Sequence, residues 1–155
     1  GLVHENMYRF TGWRFMTVGR SLERALGMAS LLASLAQDEA PDGALDLAVE
    51  VGDSAMSHRR RYTVSTSRET VIDLLGLDTM NPRSVLYQLA EIRQQIEFLP
   101  GAMVNGQMSD LSRAVLKAHN GIAVRTPEEF DSAALLACRD DVGGISDLLT
   151  AAYLR

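Results

Sequence analysis

Residues 5–37 read ENMYRFTGWRFMTVGRSLERALGMASLLASLAQ, a stretch without a single proline, and its reading decides the fold. Phe10, Phe15, Val18, Leu22, Ala25, Ala29 and Leu32 recur every three to five residues, the spacing of one apolar face on an amphipathic helix. About thirty residues at 1.5 Å each make a rod of roughly 45 Å, long enough to span a whole helical bundle. Pro41 and Gly43 place its end between Asp38 and Gly43.

Further helices follow outward from this rod. The spacing of Leu45, Ala48, Val49, Gly52, Ala55 and Met56 predicts a second helix from Ala44 to about Tyr62. It ends on the basic run Arg59, Arg60 and Arg61, which suits the negative end of a helix dipole. Thr66 with Glu69 has the form of a capping box and opens a short third helix that stops near Gly76. Asn81 as cap and Pro82 in the first turn predict a fourth helix running to about Phe98, closed by Pro100 and Gly101. Ala102 to Gln107 reads as a loop before a fifth helix that ends around His119 to Gly121. Thr126, Pro127 and Glu129 supply the strongest helix start, with Gly143 and Gly144 expected to kink or split the sixth helix before Leu154. Only Tyr62 to Ser65 has β character. The expected fold class is all-α, a single domain over residues 1–155 built as a bundle of about six helices with one long N-terminal helix.

Composition agrees with one globular domain and narrows function mainly by exclusion. The 155 residues are 46% hydrophobic and 23% charged, a balance foreign to disordered or collagenous chains. The formal charge of −5 argues against nucleic acid or an anionic membrane as general partner. No apolar run reaches the roughly 18 residues of a membrane span, and no signal peptide is recognisable, so the cytoplasm is the expected location. The chain opens on Gly1 and reads as part of a longer protein. His4, His58 and His119 stand far apart, with no spacing that suits a metal site. Cys138, directly after the apolar run Leu135, Leu136 and Ala137, reads as a buried small hydrophobe and not as a nucleophile.

The polar residues of the first helix carry the main functional signal. At about 100° per residue, Glu5, Arg9, Gly12, Met16, Arg20, Glu23 and Gly27 share a narrow sector opposite Val18, Leu22, Ala25 and Ala29. Glycine inside a helix costs roughly 0.5–1 kcal/mol relative to alanine, so Gly12, Gly19 and Gly27 invite close approach by a ligand or another helix. The face reads either as an Arg-rich groove or as a solvated surface with tolerated glycines. Tyr8, Phe10 and Trp13 form an aromatic patch or, at this spacing, part of the core. Asn81, Pro82, Arg83 and Ser84 set a polar helix start beside an arginine, a geometry able to hold a phosphate or carboxylate.

The run from Glu5 to Ala25, with its Gly12-Trp13, Phe15, Gly19-Arg20 and Glu23-Arg24-Ala25, resembles the alpha-E domain family, an all-helical bacterial family. Arg60-Arg61-Tyr62 and Asn81-Pro82-Arg83-Ser84-Val85 are similar to later signatures of the same family, in the same order. The resemblance covers the whole chain and, within the family's domain, about its C-terminal half. It implies an N-terminal half-domain as one partner.

Family members are often fused to, or encoded beside, an ATP-grasp ligase, so the resemblance implies an accessory role in ATP-dependent carboxylate–amine ligation of a peptide-like compound. ATP and Mg²⁺ would bind the ligase module, fused or separate, with no cofactor held by the bundle itself. Glu5, Arg9, Trp13, Arg20, Glu23, Arg24, Asn81, Arg83 and Ser84 are the motif positions expected to bind a ligand or partner. No catalytic residue is implied. The alternative is an interaction bundle in which the same face docks against the other half-domain and binds no ligand.

Overall fold

The computed structural model describes residues 2–34 and 68–153, with side chains from residue 12 onward. Helix α1 is Leu2–Ser34. A short helix α2, Arg68–Ile72, widens without a break into a π-helical turn, Asp73–Leu77. Helix α3, Val85–Ile96, is followed by strands β1, Met103–Val104, and β2, Gln107–Met108. Helix α4 is Asp110–Ala123, a 3-10 turn covers Pro127–Glu129, and α5 is Ser132–Tyr153. The expected second helix, Arg59 to Arg61 and Thr66 lie outside the described residues, as do the side chains of Glu5, Arg9, Tyr8 and Phe10.

The four long helices among the described residues close a ring. α1 packs on α3 and α5, and α4 packs on the same two from the other side, while the π-helical turn abuts α1, α3 and α4. Val18, Leu22, Ala25, Ala29 and Leu32 are all buried in the core so formed. They meet Leu89 and Ile92 of α3, Val115 of α4 and Val142 and Ile145 of α5 in the same cluster. The π-helical turn passes close to α1: a Cβ on Gly76 would stand 3.4 Å from Leu32 Cδ1. The all-α bundle is therefore as expected. None of the described helices is long and apolar enough to cross a membrane.

Several boundaries differ from the sequence reading. α3 is capped by Ser84 and not by Asn81: the fully buried Ser84 Oγ accepts the Tyr87 N–H at 3.1 Å and donates to the Asp78 carbonyl at 2.7 Å. Asn81 is buried one turn earlier, its Nδ2 donating to the Leu74 carbonyl at 3.0 Å and its Oδ1 accepting from the Arg83 N–H at 3.1 Å. Pro82 thus lies in a turn before the helix, and α3 ends at Ile96, short of Phe98.

The capping box at Thr126 forms, with the Glu129 carboxylate accepting from the Thr126 N–H at 3.2 Å, yet it opens only a single 3-10 turn. Phe130 is buried just after it, and α5 starts afresh where Asp131 Oδ1 accepts the Ala134 N–H at 2.8 Å. Gly143 and Gly144 do not split α5, which runs unbroken because Cys138, Val142, Ile145 and Leu149 hold it to the core.

The expected loop at Ala102 to Gln107 is an antiparallel hairpin pairing Met103 with Met108 and Val104 with Gln107. Asn105 and Gly106 turn it with φ of 52° and 77°, the left-handed pair that suits the right-handed twist of a two-residue hairpin.

Candidate functional site

The candidate face lies on α1 because the opposite flank of that helix is committed to the core. Trp13 and Met16 are 53% and 65% exposed, and Arg20, Glu23, Arg24 and Gly27 are exposed along the same side. Trp13 is thus a surface residue, although its helical spacing also allowed a core position. Among the described residues, Arg20, Glu23 and Arg24 make no hydrogen bond or ion pair with one another or with any neighbour. A Cβ on Gly12, Gly19 or Gly27 would meet nothing within 4 Å. Within the described residues the face is therefore an open ridge and not a closed groove.

At the upper edge of that ridge Arg14 is held in place. Its Nη1 donates to Gln95 Oε1 of α3 at 2.8 Å, and its guanidinium carbon lies 4.2 Å from the Phe98 ring centroid and 5.9 Å from that of Trp13. A cation above an aromatic face is attracted by the ring quadrupole, so Arg14 links the exposed Trp13 and Phe98 into one aromatic–guanidinium patch. Sequence reasoning missed Arg14 because its partners are supplied by α3 and the turn after it.

The second group of expected residues sits in the turn before α3. Asn81 and Ser84 are buried and spend their side chains on that turn and on the helix cap, so their polarity is structural. Arg83, exposed beside them, already has an interaction within the protein.

A cavity of about 630 Å³ lies between the hairpin, the start of α4 and the end of α5. Arg113 lines it, its Nη2 donating to Gln107 Oε1 at 3.1 Å. Tyr153 lines it too, its hydroxyl donating to the Pro100 carbonyl while its ring meets Phe15 edge-on at 4.9 Å. Burial raises the Tyr153 pKa. Burial also pushes the Cys138 thiol up to about 12, with the nearby Asp141 carboxylate adding to the rise. A thiol held so firmly in its protonated form is a packing group and a poor nucleophile. Among the described residues no three His, Cys, Asp or Glu side chains cluster in a metal-holding arrangement.

The chain resembles uncharacterized proteins of Mycobacterium bovis and of two strains of Mycobacterium tuberculosis, each 25% identical over 169 aligned positions. Those alignments cover 99% of this chain and 19% of each relative, so the chain spans about a fifth of their length. No solved structure matches it. The family model that matches residues 1–154 describes a predicted alpha-helical domain with a conserved ER motif. Glu23-Arg24 is the one place in this sequence where Glu is followed directly by Arg. With a helical bundle and that pair on its longest helix, the chain belongs to the Alpha-E family.

Proposed function

We propose that this domain is an accessory module of a cytoplasmic, ATP-dependent carboxylate–amine ligase system of the ATP-grasp kind, which makes or modifies a peptide-like compound. Its ridge on α1 engages the ligase module, or the anionic intermediate that module produces, through Arg20, Glu23, Arg24 and Trp13. The ligase binds ATP and Mg²⁺ and activates the acyl group; the bundle supplies a recognition surface. Glu5, Arg9 and Arg83 are proposed as further members of the binding set.

One observation carries this reading: an exposed tryptophan and methionine share a helix face with three charged groups that have no partner among the described residues. Trp and Arg are the side chains most enriched where protein interfaces concentrate their binding energy. The planar guanidinium also pairs bidentately with carboxylate or phosphate. The openness of the ridge favours docking against a large surface over enclosure of a small molecule. The same openness supports a second reading, in which the ridge docks only against the N-terminal half of the domain and no ligand takes part.

The test is product formation by the complete system carrying Arg20→Ala or Arg24→Ala. The expected result is loss of product with the bundle still folded. Retained product in a folded variant overturns the reading, and unfolding by these exposed changes shows the ridge to be structural. Thermal shift of the complete domain with nucleotides, amino acids and short peptides separates the two readings: a ligand at 100 times its Kd stabilises by about 2.7 kcal/mol, whereas a purely docking surface shows no shift.

A further inference from the structure

On the α3–α4 side of the bundle, two cavities of about 480 and 270 Å³ share a wall made of Arg93 and Glu97. The larger has a mixed lining, with Glu91, Gln94 and His119 beside Leu86, Tyr87 and Ala90. The smaller is apolar, formed by Ile96, Met103, Met108 and Leu116. Ser112 and Leu116 of α4 stand beside the Arg93–Glu97 end of α3, and His119 beside the Leu86–Tyr87 end. The two cavities therefore form one trough between the helices, mixed in character at one end and apolar at the hairpin end.

The charges at its middle are not used up. Arg93 and Glu97 are exposed and, among the described residues, form no ion pair with each other or with any neighbour. Arg before Glu at this spacing is the less favourable order on a helix, so little draws them together. His119 contacts Asn120 through Nδ1 at 3.3 Å, leaving Nε2 without a partner among the described residues.

We infer that this trough binds a free dipeptide with bulky apolar side chains. The peptide carboxylate pairs with the Arg93 guanidinium, whose fork matches its two oxygens. The ammonium group pairs with Glu97 or Glu91, and an apolar side chain enters the space bounded by Ile96, Met103, Met108 and Leu116. Methionines suit such a place because their unbranched, polarizable side chains adapt to different apolar shapes. The combined space falls within the range of roughly 300–1,000 Å³ common for small-molecule sites. This site uses none of the α1 ridge residues and does not depend on the ligase reading.

Calorimetric titration of the intact chain with dileucine, diglycine, dileucine amide and N-acetyl-dileucine tests the inference. Dileucine is expected to bind, and each of the other three to bind at least about tenfold more weakly, a difference of about 1.4 kcal/mol. Arg93→Gln weakens dileucine by a similar factor but leaves the weaker affinity for dileucine amide unchanged, because that ligand lacks the charge Arg93 recognises. Leu116→Ala reduces the preference for dileucine over diglycine. Absence of dileucine binding, equal binding of all four ligands, or an unchanged Kd in folded Arg93→Gln overturns the proposal. The comparison of four ligands on the unaltered protein decides the matter even if a variant fails to fold.

Discussion

Arg14 of α1 and Gln95 of α3 are joined side chain to side chain, Nη1 donating to Oε1 at 2.8 Å across a sequence separation of 81 residues. The contact sits at the edge of the core, where a partly buried polar pair fixes how one long helix lies on the other. Arg14→Ala removes the hydrogen bond and the stacking on Phe98 together. We expect a loss of about 1–2 kcal/mol in urea unfolding, with Gln95→Ala contributing less than additively in the double variant.

Ser84→Ala should be the most damaging small substitution in the turn before α3. It deletes the helix cap and leaves the Asp78 carbonyl without its hydroxyl donor, a combined cost of about 2 kcal/mol. In a chain of this size that corresponds to a Tm lower by about 4–8 °C, measurable by circular dichroism.

Gly106→Ala forces a side chain onto a backbone with φ of 77° and is expected to cost about 1 kcal/mol. The effect is local. Amide exchange should rise at Ser109, whose N–H donates to the Ala102 carbonyl at 2.9 Å and closes the hairpin, while the core amides keep their protection.

Cys138 gives a pH dependence of definite sign. Its thiol stays protonated in the folded chain up to about pH 12, whereas the ordinary value is 9.0. Below pH 9 both states hold the proton and stability is unaffected. Between pH 9 and about 12 only the unfolded thiol ionises, so folding stability falls as pH rises. Cys138→Ala should flatten that alkaline limb, and the raised Tyr153 adds to the fall in the same direction. Disulfide reagents at pH 8 should label the wild-type thiol only after denaturation.

Arg20→Ala, Glu23→Gln and Arg24→Ala are expected to change stability by no more than about 0.5 kcal/mol each, because all three side chains are exposed and unpartnered among the described residues. Chemical denaturation measures this directly, and a much larger loss marks the ridge as part of the folding core.

The long helix was legible because its apolar residues repeat without interruption, and every predicted core position from Val18 to Leu32 is buried. Boundaries were harder to read where two capping signals compete within a few residues. Asn81-Pro82 has the local chemistry of a helix start, but the buried Ser84 lies three residues further on and wins the cap. Thr126 and Glu129 do form their box, yet the chain must still bury Phe130, whose carbonyl accepts from Arg68 Nη1 at 2.9 Å, before α5 can begin. The hairpin had a signal in Asn105-Gly106, obscured because each strand is only two residues long.

Of the candidate site, the sequence showed which side of α1 is polar but not what faces it, since amphipathic spacing says nothing about neighbouring elements. The trough beside Arg93 and Glu97 was invisible for a related reason. It arises from where α4 and the hairpin lie against α3, a matter of tertiary placement.

The ridge bearing Glu23 and Arg24 is fastened from behind by Val18, Leu22, Ala25, Ala29 and Leu32, so the spacing of its charges is set before any encounter. A template of this kind leaves only side-chain rotamers to be frozen on contact. For the docking proposed above the signature is kinetic: added salt should slow association by screening the guanidinium groups, while the lifetime of a complex held by apolar contact at Trp13 and Met16 should change far less.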